Sequence, residues 1–205
     1  MKSHAEKIRL HIREMRFGTI FFADDFGMDN RQAVRVILSR LVKDNSIVRL
    51  GSGIYMKPRY NKLLGSLEYP SVDEIAHAVA QKEKARIVPS GAHAVNWLGL
   101  STQVPMRSVF LTDGSPRKIT LEDGRTIVFK RTTARNLSYE NNTVRSVVSA
   151  LKEIGEQGID ESMRNTLAAI LAPIQADELK HDIPLAPEWI QKELKGIILR
   201  SKDEA

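Results

Sequence analysis

The chain has 205 residues, of which 42% are hydrophobic and 27% charged, the balance of a soluble globular protein with room for two small domains. It has no cysteine, which excludes disulfides, thiolate zinc sites and cysteine nucleophiles, and its formal net charge of +6 points to an acidic or polyanionic partner. No run approaches the roughly 18 apolar residues that span a bilayer, and the start lacks a signal-peptide apolar core, so the expectation is a cytoplasmic protein with no membrane partner.

In chain order, Ser3-His4-Ala5-Glu6 forms a capping box opening a helix with Ile8, Ile12 and Met15 on one side. Thr19 to Phe22 is a short apolar strand, Ala23 to Phe26 a brief helix, and Gly27 a turn. Asp24 and Asp25 lack a nearby histidine or third carboxylate, so they suit capping or solvation rather than a metal. Asp29 or Asn30 caps the next helix, Asn30 to Asp44, and Asn45 supplies the left-handed residue that closes it. Val34, Ile37, Leu38 and Leu41 recur at i, i+3, i+4 and i+7 and form its core stripe. Gln32, Arg35, Val36, Ser39, Arg40 and Lys43 face the other way, and this outer face has no carboxylate.

Two β-rich runs follow, Ser46 to Leu50 and Gly53 to Lys57, joined by Gly51-Ser52. Ile47, Leu50, Ile54 and Tyr55 are expected to pack inward, leaving Arg49, Ser52, Lys57 and Arg59 to phosphates. A basic amphipathic helix followed by a Gly-tipped ribbon is the order of a winged helix-turn-helix, expected over residues 1–62. Charge agrees. Residues 1–62 hold 13 Lys and Arg against 6 Asp and Glu, a net of +7, and the rest of the chain holds 18 against 19. Counterion release from phosphates requires such a concentration of cations.

A linker is expected between Pro58 and Pro70, and a second domain over 70–205. A capping box at Ser71-Val72-Asp73-Glu74 opens a helix buried through Val72, Ile75, Ala76 and Val79. Arg86 to Pro89 is a strand, and a compact helix capped at Ser90 or Gly91 ends at Gly99. Val109 to Thr112 is a strand, and Lys118–Leu121 with Thr126–Arg131 form a hairpin around Asp123-Gly124. Helices are expected over roughly 140–155, 160–171 and 186–200. The fold class is α+β: a winged helix-turn-helix, then an α+β domain with a small, mainly antiparallel sheet and a helical C-terminal part.

Chemistry is sparse in the second domain. Ser90, His93 and Asp113 carry the letters of a hydrolytic triad, but Ser90 has no Gly-x-Ser-x-Gly elbow, and His93 at i, i+4 from Trp97 suits a packed helix face. His77 and His93 lack second metal ligands at helical spacing. The expectation is no catalytic residue, metal or cofactor. Arg117, Lys118, Arg125, Lys130 and Arg131, with Arg107 and Arg135, sit on or beside the hairpin as a possible second basic patch or a merely solvated sheet face.

The run Ile87 to Pro105, IVPSGAHAVNWLGLSTQVP, with Leu111-Thr112-Asp113-Gly114, resembles the AbiEi-type antitoxin family of bacterial abortive-infection systems. Gly53-Ile54-Tyr55-Met56-Lys57-Pro58 resembles the end of that family's wing, and Leu185 to Ile190 suits its helical tail. The resemblance covers most of residues 1–135, and its Pro-Ser-Gly-Ala-His-Ala to Trp-Leu-Gly-Leu block is the specific part. It implies a non-enzymatic antitoxin that represses its own operon by binding inverted repeats in promoter double-stranded DNA. It also implies a cognate nucleotidyltransferase-like toxin, opposed in type IV systems without a stable complex, with antitoxicity seated in the C-terminal domain.

The DNA-contacting set expected from the residues is Asn30, Arg31, Gln32, Arg35, Ser39, Arg40 and Lys43 on the helix, with Arg49, Ser52 and Lys57 on the ribbon. Gln32, Arg35 and Ser39 would reach base edges, and Arg31, Arg40 and Lys43 phosphates. The alternative function is a ligand-responsive winged-helix regulator whose α+β domain is the sensor.

Overall fold

The computed structural model describes residues 3–27, 30–63 and 65–203. The side chains of residues 134, 135 and 201–203 are outside the description, so the alternative cap Asp29 and the Arg135 side chain lie beyond it. The fold is α+β, and its backbone divides into two compact units, residues 1–79 with 119–125 and residues 80–118 with 126–205. No helix among the described residues is long and apolar enough to cross a membrane.

The first unit opens with α1 (His4–Glu14), whose capping box is formed in both directions: Glu6 N–H donates to Ser3 Oγ and Ser3 N–H to Glu6 Oε2. Strand β1 (Ile20–Phe22) leads into a 3-10 helix, Ala23–Phe26, closed by Gly27 at φ 55°. Asp25 Oδ2 accepts from Phe22 N–H at 2.7 Å, so this acid serves as a cap. Then come α2 (Arg31–Lys43), β2 (Val48–Gly51) and β3 (Ile54–Met56). The strands form a three-stranded antiparallel sheet in the order β1-β3-β2. Ile8, Ile12, Val34, Leu38, Leu41 and Ile47 pack with Phe21 and Tyr55, whose rings stack 5.8 Å apart. The expected linker is more ordered than its composition suggests. It holds a small hairpin of β4 (Tyr60–Asn61) and β5 (Ser66–Leu67), because Asn61 Oδ1 caps the turn and Arg59 pairs with Glu68 at 2.7 Å. The unit boundary falls instead within α3 (Val72–Glu83).

A four-stranded sheet runs in the order β6-β7-β9-β8, from β6 (Ile87–Ser90), β7 (Arg107–Thr112), β8 (Arg117–Thr120) and β9 (Thr126–Arg131), all in the second unit except Ile119 and Thr120 of β8. Strand β6 pairs antiparallel with β7, but β7 pairs in parallel with β9, which takes the centre of the sheet. Helix α4 (Ala92–Trp97) follows β6. Of the two expected caps, Ser90 or Gly91, the structure uses Gly91 at φ 62°, a backbone conformation glycine tolerates, while Ser90 ends the strand. The remainder is helical: α5 (Asn142–Ile154), α6 (Glu161–Leu171), α7 (Ala176–Asp182) and α8 (Glu188–Asp203). Helix α7, ADELKHD, was not foreseen because it carries a single Leu and no apolar stripe. Val144, Val147, Leu151, Leu167, Ile190 and Leu194 form the centre of the helical core.

Candidate nucleic-acid interface

The buried stripe of α2 fixes which residues it shows to solvent. Val34, Leu38 and Leu41 are buried, and Gln32, Arg35, Val36, Ser39, Arg40 and Lys43 are all exposed. Asn30 Oδ1 accepts from Ala33 N–H at 3.0 Å, which commits that side chain to capping. Among the described residues no acidic side chain pairs with Arg31, Arg35, Arg40 or Lys43. The first turn of α2 has no acid and begins with Arg31, a cation at the positive end of the helix dipole. That placement works against helix stability and favours an anion docked from outside.

The ribbon is more occupied than its composition suggests. Lys57 Nζ donates to the carbonyls of Arg13 at 2.7 Å and Met15 at 2.6 Å, capping the end of α1, and lies 4.7 Å from the centre of the Phe17 ring. Two carbonyls thus take two of the three donors of the ammonium, giving Lys57 a structural role beside the phosphate contact expected of it. Arg49 pairs with Glu122 at 3.1 Å. Residues 119–125 cover the free edge of β2: Glu122 N–H donates to Leu50 O at 3.1 Å, and Gly51 bridges to Leu121. A Cβ on Gly51 would stand 3.1 Å from Thr120 O, so a larger residue would push that carbonyl back by a few tenths of an ångström. Ser52 remains exposed at the tip. Lys57→Met is expected to lower stability by about 1–2 kcal/mol in thermal unfolding, through two lost charge-assisted bonds.

The second basic group is dispersed. Arg117 pairs with Glu83 and lies 5.6 Å from the Phe129 ring centre, and Arg125 pairs with Asp123 at 2.6 Å. Lys118, Lys130 and Arg131 are exposed on the second unit's strands, whereas Arg125 falls in the first unit. Arg107 is exposed at the start of β7.

Among the residues weighed for catalysis, Asp113 is held by Arg86, accepting from its backbone N–H at 2.7 Å and its Nε at 2.8 Å. Those bonds hold the Asp113 carboxyl below the usual carboxylate range. His93 is buried with its ring 4.8 Å from that of Phe110, so its packing partner is the sheet, and Trp97 is nearly half exposed. Among the described residues no cluster of three or more His, Cys, Asp or Glu side chains could hold a metal.

Sequence reasoning missed two buried groups. Asp182, with 0% exposure, accepts from the backbone N–H groups of Glu140 and Asn141, both at 2.9 Å. Arg145 is buried on α5. A charged residue inside an otherwise apolar helical stripe was the available signal for Arg145, and nothing local marks Asp182.

The molecule is thus an α+β protein of two units, the first of which presents a cationic, carboxylate-free helix face. The chain belongs to the family of unknown function DUF6088, whose model matches residues 7–179. No curated protein matches it.

Proposed function

We propose that this chain is a DNA-binding autorepressor and antitoxin of a bacterial toxin–antitoxin operon, and that its first unit is a winged helix-turn-helix. The carrying observation is the outer face of α2, where Arg31, Arg35, Arg40 and Lys43 stand exposed without acidic partners among the described residues. The element order supports it as well: helix, strand, short helix, helix and two-stranded ribbon, with β1 completing the sheet. In this reading α2 enters the major groove. Arg35, Gln32 and Ser39 meet base edges, exposed Val36 suits a thymine methyl, and Arg31, Arg40 and Lys43 meet phosphates. Ser52 touches the flanking backbone, and Arg49 joins it by exchanging Glu122 for a phosphate, at little cost for an exposed ion pair.

The antitoxin half rests on the resemblance of Ile87–Pro105 and Leu111–Gly114 to the AbiEi-type family. It assigns a nucleotidyltransferase-like toxin as the functional partner and antitoxicity to the second unit.

Arg35→Ala is expected to weaken binding to the chain's own promoter DNA by about 1–3 kcal/mol, with a much smaller effect on unrelated DNA. Fluorescence anisotropy across salt concentrations reads both quantities, and parental affinity in Arg35→Ala would reject α2 as the reading helix. This reading requires a nucleotidyltransferase encoded beside the chain, and co-expression with it tests the other half: its absence, or continued growth arrest in the presence of this chain, rejects an antitoxin.

A further inference from the structure

Arg145, only 6% exposed, is a buried cation that pairs with no acid among the described residues. Its Nη2 donates to the carbonyl of Ile87 at 3.5 Å and to Asn142 Oδ1, and among the described residues its Nε has no hydrogen-bond partner. Guanidinium does not shed its proton to escape burial, and a buried charge needs compensation. The two carboxylates whose charge reaches it are committed elsewhere: Asp182 to the backbone of Glu140 and Asn141, and Asp113 to Arg86. Arg86 adds a like charge, so burial first and that repulsion second push the Arg145 pKa down.

Arg145 lines a cavity of about 200 Å3 between α5 and β6. Arg145, Ser149 and Lys152 recur at i, i+4 and i+7 and share one face of α5, with Ser90 across the cavity on β6. Glu153 also borders it, so the ionised lining is two cations against one acid. The volume is below the roughly 300–1,000 Å3 of pockets for drug-sized ligands, which restricts it to small molecules.

We propose that this cavity binds the oxyanion group of a small molecule, a phosphate or a carboxylate, with Arg145 as the buried donor and Lys152 as the second cation. A planar guanidinium offers paired donors to either group, and an oxyanion supplies the charge and the acceptors that the protein leaves out. The site stands whether or not the first unit binds DNA.

The full chain is titrated with inorganic phosphate in one arm and succinate in the other. The Arg145 Nε–H resonance is followed by NMR, assigned by its loss in Arg145→Lys. A saturable shift of that resonance is expected in at least one arm, with a matching rise in unfolding temperature, and the tighter arm identifies the oxyanion. Lys152→Gln should weaken that binding about tenfold, the effect of losing one charge-assisted contact, and Lys192→Gln, at an exposed position of α8, should not. A shift that sodium chloride reproduces, no shift in either arm, or parental affinity in Lys152→Gln overturns the proposal.

Discussion

Replacing Phe110 by alanine is expected to destabilise the second unit by about 3–5 kcal/mol, the usual cost of removing a fully buried aromatic ring. Phe110 has 0% exposure at the centre of β7. It faces Phe129 across the parallel β7–β9 pair with ring centroids 6.0 Å apart, and His93 from α4 at 4.8 Å. Deleting the ring therefore removes a packing partner of Phe129 in the sheet and of His93 on α4 at once. Phe110→Leu should lose only part of that amount. Both tryptophans, Trp97 and Trp189, lie in the second unit, so tryptophan fluorescence in urea reads this unit separately from the first. A loss below about 1 kcal/mol in Phe110→Ala, the size of an average substitution, would show that the ring is not central to the core.

Asp182→Ala is the second large effect. The Asp182 carboxylate accepts the N–H groups of Glu140 and Asn141 at the start of α5, and the side chain is fully buried. Alanine leaves both donors without an acceptor, at about 1–3 kcal/mol each, so a loss of about 2–6 kcal/mol is expected in the same urea titration. The variant also changes a titration. The hydrogen bond that His181 Nδ1 donates to Asp182 Oδ1 at 2.9 Å, and next the charge of Glu140, raise the His181 pKa above its ordinary value. A raised pKa means that the folded state holds the proton more tightly than the unfolded chain. The associated stability is fully present below the ordinary value of about 6.5 and is lost as pH rises through the folded value. NMR titration of His181 should give a midpoint above about 6.5 in the parent and a return towards it in Asp182→Asn. An unchanged midpoint in Asp182→Asn would remove the hydrogen bond as the cause.

Much of the candidate interface was legible because its signals are local. The stripe of Val34, Leu38 and Leu41 announced α2 and its exposed cations, and Asn30 and Asn45 marked its ends, the latter at φ 59°. The ribbon was legible from Gly51-Ser52-Gly53 between β-rich runs. What those cations do was not. Lys57 and Arg49 looked equally available, yet one holds carbonyls 42 and 44 residues earlier in the chain and the other meets Glu122.

By itself, the sequence determined the helices with apolar stripes, their caps, the turns at Gly51-Ser52 and Asp123-Gly124, and the concentration of positive charge in the first 62 residues. These depend on residues within a turn or two of one another, where spacing alone states the geometry. Only the tertiary structure decided that β9 inserts beside β7, that residues 119–125 cover the ribbon edge, and that Asp182 and Arg145 are buried. Each of these joins segments far apart in the chain, 42 residues from Asp182 to Glu140 and 58 from Arg145 to Ile87. Pairing over such distances is selected by the packing of whole elements and the cost of closing the loops between them, and no short stretch of residues encodes it.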